Sequence, residues 1–599
     1  MIAGLASSAA IPARALEAGA DAPMFDRALE DVQRGLLAHE PEQATILGFA
    51  PEDAGPNADA RLGRYGPAGR AERTARLRQV VEAMSPFRMT QLSSDRALTR
   101  DLVLERAAGW LDLETACGQG HLSPWGVIWG FELYPVSQIS GLHIGAPSLL
   151  LNHQPVSNGA EADAYLSRLA ALGPALDDVI SEVVADAAVR PPPRRIVDGA
   201  IEVIDGFLAT PPASHPLAAA FRLNLNAAGL DANGVRAAMA ERLLERDVGP
   251  AYRRLKAALV TIRPQSGEAL GLATRPDGRD LYSRFLWMQA DTRLSAAEIH
   301  ARGRAEVARL KSLMEGALAA QGLSRGGIQA RLKALSQQPG QLYADSDVGR
   351  AALLADLADM VAAAEARMPR VFDRASTRPP EIRRILPFLE PYASGGGGQP
   401  PSLDGRRSGV YVINLKEMAD VARWSLPSLT YHEATPGHIY EGEIAMSAGH
   451  PALRLFLARS NGFAEGWAMY AEKLAQELGL YDAYPGSEIG RLQSELFRAA
   501  RLVVDTGLHD LGWSFEQAVA YMVSTGAASV ATARREAVRY AAWPGQAVGY
   551  KLGMMEIEAA RRRAEARPGF DLRRFHRRLL ATGGLPVHRL TSHLDADEV

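Results

Sequence analysis

Residues Tyr431 to Glu443, Tyr-His-Glu-Ala-Thr-Pro-Gly-His-Ile-Tyr-Glu-Gly-Glu, bring two imidazoles and a carboxylate, His432, His438 and Glu433, into one short stretch. A His followed at once by Glu opens the pattern in which an imidazole ligates zinc and the adjacent carboxylate acts as general base on water. In that pattern the second His comes four residues after the first, on the same helix face. Here position 436 is Pro and the next imidazole is His438. At 3.6 residues per turn a spacing of six leaves two side chains roughly 120° apart, so an unbroken helix could not aim both at one ion. Pro436-Gly437 interrupts a helix, because proline lacks the N–H and clashes with the preceding turn and glycine tolerates unusual dihedrals. The expectation is a helix that ends or bulges at Pro436 and swings His438 back toward the metal. The plainer alternative is a surface helix end with His438 as a polar cap.

The segment Asn461 to Leu474 reads as a helix carrying Glu465 and Glu472. Seven residues apart, they lie about 20° out of phase and so on one stripe. Their neighbours include Phe463, Trp467, Ala468, Met469 and Leu474, and carboxylates in such company are seldom fully buried unless paired or bound to a metal. A catalytic zinc takes three protein ligands and keeps one open position, and His432, His438 and Glu465 would supply the three. Glu472 then suits holding a ligand imidazole in its tautomer. A solvent-facing Glu pair on an amphipathic helix is the alternative.

These two stretches, His-Glu-Ala-Thr-Pro-Gly-His and Glu-Gly-Trp-Ala-Met-Tyr-Ala-Glu, resemble the bacterial domain-of-unknown-function family 885, grouped with the gluzincin metallopeptidases. Phe131 to Gly141, Leu281 to Trp287, Gly409 to Asn414, Arg501 to His509 and Arg539 to Ala547 are similar to further blocks of that family, so the resemblance covers nearly the whole chain. It implies a mainly α fold, a large two-lobed helical body with a deep central cleft and a small β element near the zinc helix. It also implies peptide hydrolysis, with Glu433 taking and returning the proton. Gly549-Tyr-Lys-Leu-Gly553 looks similar to the tyrosine-bearing block of the thermostable carboxypeptidases, making Tyr550 the first candidate for stabilising the oxyanion, ahead of Arg539, Tyr540 and His509. Arg539 could instead clamp a substrate carboxylate, or form a buried ion pair with Glu536 or Asp505. In gluzincins a strand beside the zinc helix binds extended peptide; Val410 to Leu415 resembles it, with Tyr411, Val412 and Asn414 as substrate-binding candidates, or it is an ordinary core strand.

The elements that must position these groups read as helices almost throughout. At 599 residues, with hydrophobic content of 47%, the chain exceeds what one core usually supports. The expected division is a tail or signal-peptide remnant over 1–23, an N-terminal helical lobe over 24–290 and a C-terminal catalytic lobe over 291–599. Arg70 to Met84 and Arg96 to Leu113 repeat apolar residues at helical intervals, Ser295-Ala-Ala-Glu298 is a capping box opening a helix to about Gln321, and Gly395 to Gly398 reads as a loop. The 66 basic and 69 acidic residues give a net charge of −3, which argues against nucleic acid or a polybasic membrane role. A single cysteine, Cys117, rules out an intrachain disulfide and a cysteine-based metal cluster.

No window approaches the length of a membrane span. Ala13-Arg-Ala15 faintly matches a signal cleavage site with no basic region before it, so the start of any export signal would be missing; periplasm or export is favoured, with cytoplasm as the alternative. The expected function is a zinc-dependent hydrolase of small peptides, of carboxypeptidase, dipeptidase or oligopeptidase type. A zinc amidase acting on a modified or non-ribosomal peptide and a catalytically inactive helical binding protein are the alternatives.

Overall fold

The computed structural model describes residues 21–117, 132–385, 387, 390 and 395–596. Most of the tail expected over 1–23, and Phe131 of the first family block, lie outside these residues. What is described is mainly helical, and the helices follow from the periodicity. The Ser295 hydroxyl accepts the Glu298 N–H while the Glu298 carboxylate accepts the Ser295 N–H, satisfying two orphan donors at the start of helix Ala296–Ala320. That helix buries Ile299, Gly303, Val307, Leu310, Met314 and Leu318, three or four residues apart, and packs along helix Ser487–His509.

One hydrophobic cluster lies wholly between Tyr65 and Ile262. A second joins Phe25, Leu37 and Val103 to Leu502, Tyr540 and Leu552, and so runs across the lobe boundary placed at residue 290. A third surrounds the residues of interest, packing Tyr431, Phe463, Trp467 and Tyr470 together.

The small β element is a three-stranded sheet in the order β1-β3-β2, with β1 Glu381–Arg384, β2 Gly396–Gln399 and β3 Val410–Ile413. The β-branched and aromatic strand expected at 410 is its centre, parallel to β1 and antiparallel to β2. The glycine run read as a loop is instead strand β2. Glycine has no intrinsic preference for a strand; the pairing of Gly396 to Gln399 with Ile413 to Val410 makes it one.

Helices Asn461–Glu477 and Gln546–Glu565 cross almost in backbone contact. A Cβ on Gly466 would lie 2.4 Å from the carbonyl carbon of Gly553, and one on Gly553 would lie 1.9 Å from the carbonyl oxygen of Gly462. The crossing sets the Tyr550 ring over that of His432. Among the described residues no helix is long and apolar enough to cross a membrane.

Candidate metal centre

Helix Leu426–Glu433 ends one residue past His432, and the next helix, His438–Ser447, begins on the second imidazole. The break falls at the expected proline, and it is pinned: the indole N–H of Trp467 donates to the Pro436 carbonyl at 2.9 Å. The two imidazoles therefore converge, their ring centroids 4.8 Å apart and their planes nearly perpendicular. Glu465, on helix Asn461–Glu477, meets both, with Oε2 3.6 Å from His432 Nε2 and 3.4 Å from His438 Nε2.

All three candidate ligand atoms lie within 4.8 Å of one another. The two carboxylate separations exceed good hydrogen-bond lengths. They match instead the roughly 3.3–3.6 Å that separates donors held about 2.0–2.2 Å from one tetrahedral ion. Glu465 Oε2 is enclosed and has no hydrogen-bond partner, so an enclosed anionic oxygen faces two ring nitrogens. Two imidazoles and one carboxylate suit zinc and leave one tetrahedral position open. The residues fit the ion.

The second carboxylate of the stripe meets His432 from the other side of its ring. His432 Nδ1 and Glu472 Oε1 are 2.9 Å apart and both groups are buried. Because the carboxylate only accepts, Nδ1 keeps its proton, and Nε2 is the nitrogen that an ion would take in place of a proton. Burial and the nearby Arg498 charge push the His432 imidazole down, but the Glu465 and Glu472 carboxylates outweigh them and hold it up at about 9. Burial likewise raises Glu465, and the two imidazoles overcome that and hold it well below the usual carboxylate range.

Glu433 Oε2 accepts the Gly398 N–H of β2 at 2.8 Å. The strand passes so close that a Cβ on Gly398 would sit 2.3 Å from the Glu433 carbonyl oxygen. Tyr550 lies beyond, its ring nearly parallel to that of His432 with centroids 6.4 Å apart. Arg539 Nη2 is 3.4 Å from the Tyr550 hydroxyl, and the Arg501 guanidinium lies 4.4 Å from the centre of its ring.

Other candidates take structural parts. His509 is fully buried; Nδ1 accepts the Leu272 N–H at 3.2 Å and Nε2 donates to the Tyr540 carbonyl at 3.0 Å, which leaves no ring nitrogen for an oxyanion. Tyr540 is buried with its hydroxyl accepting from Arg501 Nε at 3.2 Å. Arg539 makes the ion pair with Glu536, at 3.2 Å, and donates to Gln546 Oε1 at 2.7 Å, so its carboxylate-clamp role gives way to a structural one.

Substrate pairing along β3 is also corrected. Tyr411 is paired on one side with Ile382 and on the other with Gly398, and Val412 with Arg383 and Gly397, so both edges of the strand are occupied within the sheet. Asn414 donates from its side chain to the Glu390 carbonyl and from its backbone to that of Gly395. The strand beside Glu433 is β2. Gly398, the Trp467 indole, Arg498 and Arg501 all border the site, and the sequence pattern assigns none of them a part. For the two arginines the signals are their spacing of three on one helix and the place of Arg501 at the head of the stretch Arg501 to His509.

The comparisons with known proteins agree on the fold. A crystal structure from Colwellia psychrerythraea described as a "putative lipoprotein" is 30% identical, with 96% of this chain and 98% of that chain covered and a TM-score of 0.90. A structure from Shewanella oneidensis, described as a "putative lipoprotein of unknown function", shares 16% identity over 95% of this chain and 98% of that one, with a TM-score of 0.67, and speaks for the fold alone. No curated protein matches. Residues 41–594 match the family described as bacterial protein of unknown function, DUF885, and with nearly the whole length accounted for, the chain belongs to that family.

Proposed function

We propose that this chain is a zinc-dependent hydrolase that cleaves peptide bonds of small peptides, a gluzincin-like metallopeptidase. The observation that carries the reading is the enclosed Glu465 Oε2, without a partner and facing His432 Nε2 and His438 Nε2 at 3.6 and 3.4 Å. When bound, zinc supplies a Lewis acid for the scissile carbonyl and makes water reactive near neutral pH.

The residues of the chain do the rest. Glu433, held by the Gly398 N–H through Oε2, takes the proton of the attacking water and returns it to the leaving amine. Tyr550 donates its hydroxyl to the oxygen on which charge develops, a contact of a kind worth about 2.7–4 kcal/mol when well aimed. Arg539 and Arg501, against its hydroxyl and its ring, favour negative charge there. Glu472 keeps His432 in the tautomer that leaves Nε2 free. A cleft of the kind the resemblance implies would open where His438 and Glu465, with side chains 15% and 16% exposed, meet solvent. Among the described residues β2 pairs with β3 alone, and its other edge, apart from the Gly398 N–H held by Glu433, would receive an extended substrate.

Export to the periplasm fits the description of the Colwellia psychrerythraea neighbour as a "putative lipoprotein". The test of the function is metal analysis with a peptide-library digest read by mass spectrometry. About one zinc per chain and cleavage that disappears in Glu433→Gln support the hydrolase; no zinc after reconstitution, or cleavage indifferent to that substitution, removes it.

A further inference from the structure

Arg498 and Arg501 stand three residues apart on helix Ser487–His509 and turn the same way. Both guanidiniums lie against Tyr550, at 5.8 and 4.4 Å from the centre of its ring, and Arg539 reaches its hydroxyl. Three cations thus gather on one wall of the candidate metal centre. The carboxylates close to them are Glu536, shared by Arg501 at 3.1 Å and Arg539 at 3.2 Å, and Glu472, 3.9 Å from Arg498 and already engaged with His432. The wall is short of negative charge.

The shortage falls on particular atoms. Arg501 is 6% exposed; its Nε donates to Tyr540 and its Nη2 to Glu536, but the enclosed Nη1 has no partner. Arg498 donates from Nη1 to Ser494, while its enclosed Nε has none. Buried guanidinium N–H groups without acceptors are costly to hold, and each needs an explanation. A planar anion with two acceptor oxygens suits a guanidinium fork best.

We infer that Arg498 and Arg501 receive the free α-carboxylate of the substrate, which makes the proposed hydrolase one that cuts near the C-terminus of its peptide. The inference rests on the hydrolase reading for its direction. Arg498 lies against Glu472, which is bonded to His432, and the Tyr550 ring spans the gap between Arg501 and His432. A residue extends about 3.3–3.6 Å along a strand, so a carboxylate held on this wall belongs to a residue one or two positions beyond the bond at the metal. An α-carboxylate exists only at the end of a chain, on the side of the leaving amine.

The test uses the full-length, zinc-loaded Glu433→Gln protein, which binds without turning over. Calorimetric titrations compare tetraalanine, its C-terminal amide, and amidated Ala-Ala-Ala-Asp, whose only carboxylate is in a side chain. The free acid is expected to bind about tenfold or more tightly than either amide, the scale of one buried charge-assisted hydrogen bond. Arg498→Gln and Arg501→Lys should each reduce that preference severalfold while zinc content stays the same. Equal binding of acid and amide, absence of binding by all three, or a preference that survives in both variants overturns the inference; a preference for the aspartyl amide reassigns the site to acidic side chains and overturns it too. Native protein separates this from the hydrolase reading. Cleavage of amidated peptide as fast as free acid defeats the carboxylate receptor alone, whereas selective binding of the acid without any cleavage defeats the hydrolase alone.

Discussion

Trp467 donates its indole N–H to the carbonyl of Pro436 at 2.9 Å. The donor sits two residues after one candidate ligand and the acceptor sits between the other two, so a single hydrogen bond ties the Glu465 helix to the break that turns His438 inward. Trp467→Phe is expected to leave the buried carbonyl unsatisfied, costing about 1–3 kcal/mol of stability, and to weaken zinc binding on the order of tenfold, as loss of a supporting contact does. Urea unfolding and competition against a chelator measure the two effects. Unchanged zinc affinity would mean that the break holds its shape without the indole.

Glu433→Gln preserves size and can still accept the Gly398 N–H through its amide oxygen. Zinc content and unfolding midpoint should match the native protein while kcat on a cleaved peptide falls by about 10²–10⁴. Turnover at the native rate removes Glu433 as general base.

The two carboxylates of the Asn461–Glu477 helix should separate cleanly. Glu465→Gln loses the charged oxygen that faces both imidazoles and should not retain stoichiometric zinc after dialysis. Glu472→Gln keeps the three ligands but loses the charge that orders His432, and should bind zinc about 10–100-fold more weakly. The opposite ranking would exchange the two roles.

Asp505 gives a pH signature away from the metal centre. It is fully buried; Oδ1 accepts from the Tyr282 hydroxyl at 2.6 Å and from the Gly545 N–H at 3.1 Å, and Oδ2 has no partner. Burial pushes its carboxyl from 3.8 up to about 7. Between those values the folded chain holds a proton that the unfolded chain releases, so this group's contribution makes stability fall as pH rises from about 4 to about 7 and level off above. Asp505→Asn cannot ionise and removes that slope. The unfolding free energy of the variant relative to the native protein should rise by on the order of 4 kcal/mol across this range. A difference that stays constant with pH would mean that Asp505 is charged throughout.

Much of the site was legible because its chemistry is written in spacing. His432, Glu433 and His438 share one short stretch, and the proline between the imidazoles marks where a helix has to stop. Glu465 and Glu472 share a stripe, and their apolar neighbours signal carboxylates that need a partner. The sheet was harder to read. β3 announces itself by Val410, Tyr411, Val412 and Ile413, but β2 is made of the residue type least suited to a strand, and only pairing with β3 and the approach to Glu433 account for it. His509 and Arg539 attract notice as titratable residues within stretches that resemble the family's blocks. The partners of His509, the Leu272 N–H and the Tyr540 carbonyl, come from distant segments that no local pattern reveals, whereas the Glu536 partner of Arg539 lies three residues away on one helix and is among the pairings the sequence offers.

The wall beside Glu433 has a further consequence for selectivity. Gly396, Gly397 and Gly398 follow one another along β2, so for most of its length that surface consists of main-chain amides and carbonyls with no side chains to form pockets. Whatever lies alongside it meets the same profile whether its own residues are large or small, charged or apolar. In the proposed hydrolase, discrimination between one sequence and another would then fall to side chains such as Tyr550 and the arginines, leaving the glycine face to sense only that a chain is extended.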